Sequence, residues 1–141
     1  MNSFFLLADD DYDDAELFHE ALTTIDPQIS FRHVENGEAV LNFLTNESTG
    51  KPDIIFLDLN MPAMSGWQCL AKLKNNAKLK EIPVVMYSTS SNLREKEIAM
   101  DLGAVGFVTK PTDFSALIDV LHTIIRNLHG DLKKILGSPS S

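Results

Sequence analysis

Five short apolar segments divide the chain, and each is followed by a longer stretch of mixed polarity. The apolar segments are Phe4 to Ala8, Ile29 to Val34, Ile54 to Leu57, Val84 to Tyr87 and Val105 to Val108. The first, third and fourth are nearly continuous in apolar residues, as strands buried on both faces should be. The second largely alternates apolar and polar residues, so we expect it at an edge of the sheet.

Helical periodicity is clear in four of the intervening stretches and weak in a fifth. The clear repeats are Leu17, Phe18, Ala21, Leu22 and Ile25; Val40, Leu41 and Leu44; Trp67, Leu70 and Ala71; and Phe114, Leu117, Ile118, Leu121 and Ile125. The stretch from Ser91 to Leu102 has only a narrow apolar stripe, closed by Gly103, and predicts a loosely packed helix. Five strand-helix units with right-handed crossovers predict an open doubly wound parallel sheet, which binds ligands at the carboxyl ends of its strands.

Length and charge narrow the class of protein. The 141 residues fit one domain, and 20 acidic against 12 basic residues give a formal net charge of −8 without a basic stripe, which disfavours direct nucleic-acid binding. No apolar run approaches the ~20 residues that a membrane span needs. The single cysteine, Cys69, excludes an intrachain disulfide, and we expect a cytoplasmic location.

Charged and hydroxyl side chains follow four of the predicted strands. Asp9 and Asp10 follow the first, Asp58 the third, Ser88 the fourth and Lys110 the fifth. Neighbouring carboxylates repel one another unless a cation neutralises them, and Mg²⁺ binds carboxylates together with phosphate oxygens. A lysine and a hydroxyl can hold the oxygens of a phosphoryl group. The set predicts a phosphoryl-transfer site, although the pattern alone does not show which aspartate is the nucleophile.

Part of the acidic run after the first strand has a simpler interpretation. Carboxylates are stabilised near the positive end of a helix dipole, and a helix is predicted to begin here. We retain that interpretation for Asp13 and Asp14.

Four motifs resemble those of the receiver domains of two-component response regulators. Asp58 to Gly66 resembles the phosphoacceptor segment, Leu7 to Asp11 the acidic pair, Ile82 to Ser88 the fourth strand with its hydroxyl switch, and Gly106 to Pro111 the lysine-proline turn, whose X-Pro bond is expected to be cis. The resemblance covers roughly residues 4 to 127. It implies a flavodoxin-like α/β fold: a doubly wound, five-stranded parallel sheet of order 2-1-3-4-5 with five helices, (βα)5.

The resemblance also implies a separate role for each residue of the site. Asp58 resembles the phosphoacceptor. Asp9 and Asp10 resemble the acidic pair that, with Asp58 and the backbone carbonyl of Asn60, holds the Mg²⁺ cofactor. Lys110 resembles the lysine that contacts the phosphoryl group. No organic cofactor is implied.

Further positions resemble those that take part in the conformational switch or set the rate of dephosphorylation. Ser88 resembles the hydroxyl that moves toward the phosphoryl group, although Thr89 follows directly and a displacement by one residue is open. Phe107 matches the switch aromatic and lacks the hydroxyl of a tyrosine. Asn60 and Ser90 occupy positions that tune dephosphorylation, and their small side chains predict a fairly short-lived phosphoryl group.

The chain beyond the last predicted helix suggests an extension. We divide the protein into a receiver domain, 1–128, and a C-terminal helical extension with a disordered tail, 129–141. A helical stripe continues past Gly130, through Leu132, Ile135 and Leu136. It predicts either a helix end packed on its own domain or an additional contact with a partner.

The leading hypothesis is a single-domain response regulator, which signals rather than acting as an enzyme on other substrates. Its partners would be a sensor histidine kinase or phosphotransfer protein, a downstream protein target, and a possible second copy bound through the fourth helix, fifth strand and fifth helix. A metal-dependent phosphatase with an aspartate nucleophile is an alternative, but its acid/base aspartate would fall at Asn60. A receiver-like binding module with an unused site, or a flavodoxin-like cofactor carrier, is a third.

Overall fold

The computed structural model describes residues 3–46 and 50–136 and contains one parallel sheet covered by helices. The strands are β1 (Phe4–Ala8), β2 (Ser30–Val34), β3 (Ile54–Leu57), β4 (Val84–Ser88) and β5 (Gly106–Thr109). The helices are α1 (Tyr12–Ile25), α2 (Gly37–Thr45), α3 (Gly66–Lys74), α4 (Leu93–Asp101), α5 (Phe114–Arg126) and α6 (Leu132–Leu136). The strand order β2-β1-β3-β4-β5 confirms the predicted fold and the edge position of β2.

The sheet separates two apolar layers. One layer contains the inner faces of α2, α3 and α4, and the other those of α1, α5 and α6. Successive residues of a strand point to opposite faces, so Ile55 and Leu57 enter the first layer while Ile54 and Phe56 enter the second. This is why the central strands are apolar at every position.

Each helix that follows a strand begins at a side chain that accepts hydrogen bonds from its first turn. The five capping residues are Asp11, Asn36, Ser65, Asn92 and Asp113. Such caps satisfy amides that have no partner within the helix. They also anchor the loops at the carboxyl edge of the sheet. None of the helices described is long and apolar enough to cross a membrane.

Helix α4 is the loosely packed helix that the sequence predicts. Ala99 is its one buried residue, whereas Leu93 is 57% exposed and Ile98 is 38% exposed. On the other face of the sheet, α5 buries Leu117, Leu121 and Ile124. The two helices nearest β5 therefore differ sharply in how firmly they are held.

The predicted helical extension packs on its own domain. Leu128 and Leu132 are buried in the layer of α1 and α5. Leu136 lies against Gly106, where a Cβ would come within 2.4 Å of the Leu136 Cβ. Glycine at the start of β5 thus makes room for α6. The division after residue 128 stays a prediction, and the tail predicted to be disordered, 137–141, lies outside the described residues.

Candidate metal and phosphoryl-transfer site

The carboxyl ends of β1 and β3 bring two buried carboxylates together. Asp9 is fully buried and Asp58 is 8% exposed. Backbone hydrogen bonds hold both in the extended sheet, because the Asp9 amide donates to the Val34 carbonyl and the Asp58 amide to the Ala8 carbonyl, each at 3.0 Å. The two side chains stand where the strand order reverses, which is the usual ligand site of such a sheet.

The backbone after β3 is fixed by a close approach at Gly66. The Gly66 amide donates to the Leu59 carbonyl at 3.0 Å, and a Cβ on Gly66 would lie 2.3 Å from the carbonyl oxygen of Asp58. Only glycine permits this approach. The start of α3 therefore packs directly against the backbone of the predicted acceptor, Asp58.

The two oxygens of Asp9 have different surroundings. Oδ1 accepts a hydrogen bond from the Asp11 amide at 2.9 Å. Oδ2 is buried and has no hydrogen-bond partner among the described residues, although the Lys110 ammonium lies 2.8 Å away as an ion pair. Burial raises the pKa of Asp9 to about 6, against the lowering effects of Lys110 and the Asp11 amide. Leaving such an oxygen without a hydrogen bond is costly, so this carboxylate is suited to a further positive ligand.

Three carboxylates lie at metal-binding distance from one another. Asp9, Asp10 and Asp58 each offer an oxygen, and the three oxygens lie within 4.8 Å of one another. Asp10 is exposed, so the group opens to solvent on its side. Together with the unsatisfied oxygen of Asp9, this set of hard oxygen ligands fits Mg²⁺. The Asn60 amide donates to Asp58 Oδ1 at 3.3 Å, while the backbone carbonyl of Asn60 as a ligand stays a prediction.

Lys110 is the cation around which the acidic side chains gather. Its ammonium lies 2.8 Å from Asp9 Oδ2, 2.8 Å from Asp14 Oδ2 and 3.3 Å from Asp58 Oδ2. It also lies 5.5 Å from the centre of the Tyr87 ring. Burial by itself would lower the pKa of Lys110, but the hydrogen bond with Asp14 and the ion pair with Asp9 outweigh it and raise that pKa. The lysine therefore stays charged at neutral pH.

The peptide bond between Lys110 and Pro111 differs from expectation. No cis peptide bond occurs in the parts of the chain that the structure describes, so this bond is trans. The cis form that the family resemblance implied is wrong for this structure. The trans form is the intrinsically preferred one for X-Pro bonds, by about 0.5–1 kcal/mol.

Ser88 heads a chain of hydrogen bonds that runs from β4 to the start of α4. Ser88 is buried and Thr89 is exposed, so Ser88 is the hydroxyl that faces the interior. The Ser90 amide donates to Ser88 Oγ at 3.2 Å. The Ser90 hydroxyl in turn donates to Glu95 and accepts from the Asn92 amide at 3.1 Å. The predicted switch and tuning residues are thus linked to the loosely packed helix.

Phe107 lies on the same face of the sheet as α4. It is 8% exposed and belongs to the apolar layer of α2, α3 and α4. The predicted switch aromatic is therefore directed inward in this structure.

Sequence reasoning missed two acidic residues that contact the site. Asp14 contacts Lys110, and Glu95 contacts Ser90. Each is the third residue of a helix that follows a strand end. Helical side chains tilt toward the N-terminus of their helix, so a first-turn carboxylate can reach back to the strand ends. That position was the signal available in the sequence. Asp13, also assigned to the helix start, is exposed and is not among the ion-pair partners of Lys110.

Comparison with known families now gives the class of protein. The sequence profile of the response regulator receiver domain matches residues 5–122, which include every site residue described above. The chain is a response regulator receiver domain. Receiver domains accept a phosphoryl group in two-component signalling, bind Mg²⁺ at an acidic pocket, and interact with histidine kinases or phosphotransfer proteins.

Curated relatives of this receiver domain differ widely in length. Response regulator Rcp1 of Synechocystis sp. is 33% identical over 125 residues, which cover 84% of each protein. A probable cyclic di-GMP phosphodiesterase of Vibrio cholerae is 35% identical over 75 residues, which cover 53% of this chain but 17% of that protein. The similarity to that phosphodiesterase therefore covers a minor part of its length.

Solved structures support the same fold. The phosphorylated cyanobacterial phytochrome response regulator RcpA superposes with a TM-score of 0.84 at 29% identity, covering 92% of this receiver domain and 95% of that chain. The Mn²⁺-bound form of Rcp1 superposes with a TM-score of 0.77 at 31% identity, covering 86% and 91%.

Proposed function

We propose that this receiver domain works as a single-domain response regulator in which Asp58 accepts the phosphoryl group. One observation carries the choice of residue: Asp58 combines contact with Lys110, membership of the three-carboxylate group and a small solvent-exposed fraction of 8%. Asp9 has the first two properties but is fully buried. Asp10 is exposed, but it is not among the ion-pair partners of Lys110.

The proposed transfer is a single displacement at phosphorus. A carboxylate oxygen of Asp58 forms the new P–O bond while the P–N bond of a phosphohistidine donor breaks. The electron pair of that bond goes to the imidazole, which takes a proton from water. Asp9, Asp10, Asp58 and the Asn60 carbonyl would hold Mg²⁺, which supplies charge neutralisation at the phosphoryl oxygens when bound. Lys110 and the Ser88 hydroxyl would each donate a hydrogen bond to a phosphoryl oxygen.

The proposed signal passes from Ser88 to α4. A Ser88 hydroxyl drawn toward a phosphoryl oxygen loses the hydrogen bond from the Ser90 amide, which connects it to the loop before α4. Phe107 shares the apolar layer with Ala99 of α4, so a shift of this helix changes its packing. Because α4 buries so little, a small change in free energy suffices to move it.

The exposed apolar residues at α4 support a protein-binding output surface. Leu93 and Ile98 of α4, and Leu102 directly after its last residue, are all more than one-third exposed. We assign the downstream target, and a possible homodimer, to the face formed by α4, β5 and α5. The donor class is a sensor histidine kinase or phosphotransfer protein. A cytoplasmic location stays a prediction.

The alternative of a hydrolase acting on other substrates has less support. Position 60, where that hypothesis requires an acidic side chain, holds the exposed amide of Asn60. We therefore propose that the protein catalyses only its own phosphorylation and dephosphorylation. Asn60 and Ser90 are retained as the residues that tune the second reaction. A phosphoryl lifetime of many hours would contradict the short lifetime predicted from their small side chains.

The proposal is tested with a small acyl phosphate as donor. Incubation with Mg²⁺ should yield a protein phosphoadduct, and a chelator should prevent it. Asp58→Asn should abolish the adduct, while Asp13→Asn, an equal change of charge on the same edge, should retain it. An adduct of undiminished yield in Asp58→Asn would refute the assignment.

A further inference from the structure

The ion pair between Asp14 and Lys110 joins the first turn of α1 to the residue after β5. Asp14 Oδ2 lies 2.8 Å from the Lys110 ammonium, in hydrogen-bonding geometry. The Asp14 side chain is 34% exposed, whereas that of Lys110 is 10% exposed. The contact therefore lies at the rim of the site, between its buried centre and solvent.

Asp14 differs from the other two partners of Lys110 in one respect. Asp9 and Asp58 belong to the group of three carboxylates that can share a metal ion, and Asp14 does not. A cation in that group would compete with Lys110 for Asp9 and Asp58, because both need the same negative charge. The ion pair with Asp14 is the one that a bound cation leaves intact.

We propose that Asp14 is a positioning residue that holds Lys110 at the side of the metal site, so that a divalent cation can take Asp9 and Asp58. The inference rests on the proposed binding of Mg²⁺. When the metal binds, Lys110 gives up its contact with Asp9 and keeps its contact with Asp14. Without Asp14, the ammonium has Asp9 and Asp58 as its remaining acidic partners and obstructs the metal.

The same arrangement suits the phosphoryl group. An ammonium group has three N–H donors, and Asp14 accepts one of them. Two donors remain for oxygens that arrive at Asp58, whose Oδ2 lies 3.3 Å from the Lys110 nitrogen. Asp14 acts through Lys110 and touches neither the proposed metal nor the proposed acceptor group.

The test is a double-mutant cycle read out as Mg²⁺ affinity by calorimetry, with Mg²⁺ alone and no phosphodonor. In the chain that contains Lys110, Asp14→Asn should weaken Mg²⁺ binding by about three- to tenfold, the range expected for loss of one partly exposed ion pair. In a Lys110→Met background, the same change should alter the affinity by less than about twofold, because only a distant charge is lost.

Two further variants separate positioning from charge. Asp13→Asn removes one negative charge from the neighbouring position and should change the affinity by less than about twofold. Asp14→Glu keeps the carboxylate and should restore most of the affinity. Equal weakening by Asp14→Asn with and without Lys110, or no weakening when Lys110 is present, would overturn the inference.

The outcomes also distinguish this inference from the proposed function. Absence of Mg²⁺ binding to the unaltered protein would refute the proposed metal site and the inference with it. Normal Mg²⁺ binding without coupling between Asp14 and Lys110 would refute the inference alone. A phosphoadduct that survives Asp58→Asn would refute the acceptor assignment and leave the metal-binding cycle unaffected.

Discussion

The strands of the sheet and its carboxyl edge both bury side chains, but with opposite effects on stability. Along the strands, residues such as Phe5, Ile55 and Phe56 are fully buried among apolar neighbours. At the edge, Asp9 and Asp58 are also buried, and both carboxylates share the single positive charge of Lys110. Apolar burial stabilises the fold, whereas a buried carboxylate costs free energy unless it is fully paired. The contrast indicates that the apolar core stabilises the fold, whereas the charged residues at the carboxyl edge serve the chemistry of the site.

The largest expected effect is a loss of stability in the apolar core that surrounds the strands. Phe56 is fully buried, and its ring contacts the rings of Phe5, Phe18 and Tyr87. Phe56→Ala should lower the free energy of unfolding by about 3–5 kcal/mol in a denaturant titration. Leu17→Ala, at a residue that is 47% exposed, is the control and should cost far less. Equal losses would contradict the description of the core.

The second prediction concerns the close contact between Gly66, at the start of α3, and the backbone carbonyl of Asp58. Gly66→Ala places a Cβ against the carbonyl of Asp58, so it should lower the free energy of unfolding by about 1–3 kcal/mol and weaken Mg²⁺ binding. Gly130→Ala is the matched control, because its Cβ would meet no atom closer than 3.6 Å, and it should change stability by less than about 0.5 kcal/mol. Unaltered Mg²⁺ affinity in Gly66→Ala would count against the role of this contact.

The third prediction concerns the cost of the buried Asp9 carboxylate in the metal-free protein. Burial raises its pKa from 3.8 to about 6, so the folded state holds the proton more tightly than the unfolded state. The resulting stabilisation is fully present below 3.8 and is lost as pH rises through about 6. The stability of Asp9→Asn relative to the unaltered protein should therefore rise by about 1–3 kcal/mol between pH 4 and pH 7. Denaturant titrations at both pH values, with chelator present, check this, and a pH-independent difference would contradict it.

The smallest expected effect concerns α4, which is attached to both the edge and the core by few contacts. Leu93 is 57% exposed, so Leu93→Ala should change the free energy of unfolding by less than about 0.5 kcal/mol. Leu121→Ala on the firmly packed α5, where the side chain is 1% exposed, should cost about 2–5 kcal/mol. A comparable loss at both positions, measured in the same denaturant series, would show that α4 is held as firmly as α5.

Much of the scaffold could be predicted from the sequence because its signals are local. Apolar runs marked all five strands to within about a residue at their ends, and the alternating segment correctly indicated the edge strand. The residues after the strands were expected to meet because parallel strands share one carboxyl edge. Asp9, Asp58, Ser88 and Lys110 do lie at that edge, and their individual roles stay proposals.

The parts that escaped prediction depend on distant partners. An acidic residue in the first turn of a helix suits the dipole as well as an ion pair, and Asp14 is 96 positions from Lys110 in the chain. The packing of α6 likewise depends on the absence of a side chain at Gly106. The cis bond expected before Pro111 was implied by the family resemblance, whereas the bond found is the trans form that X-Pro bonds intrinsically prefer.

Chemical location of the phosphoryl group tests the assignment of Asp58 as the acceptor. After incubation with Mg²⁺ and a small acyl phosphate, borohydride reduction converts an aspartyl phosphate to homoserine, and peptide mass analysis gives its position. Homoserine is expected at position 58 and at no other aspartate. Homoserine at position 9 or 10, with position 58 unmodified, would contradict it.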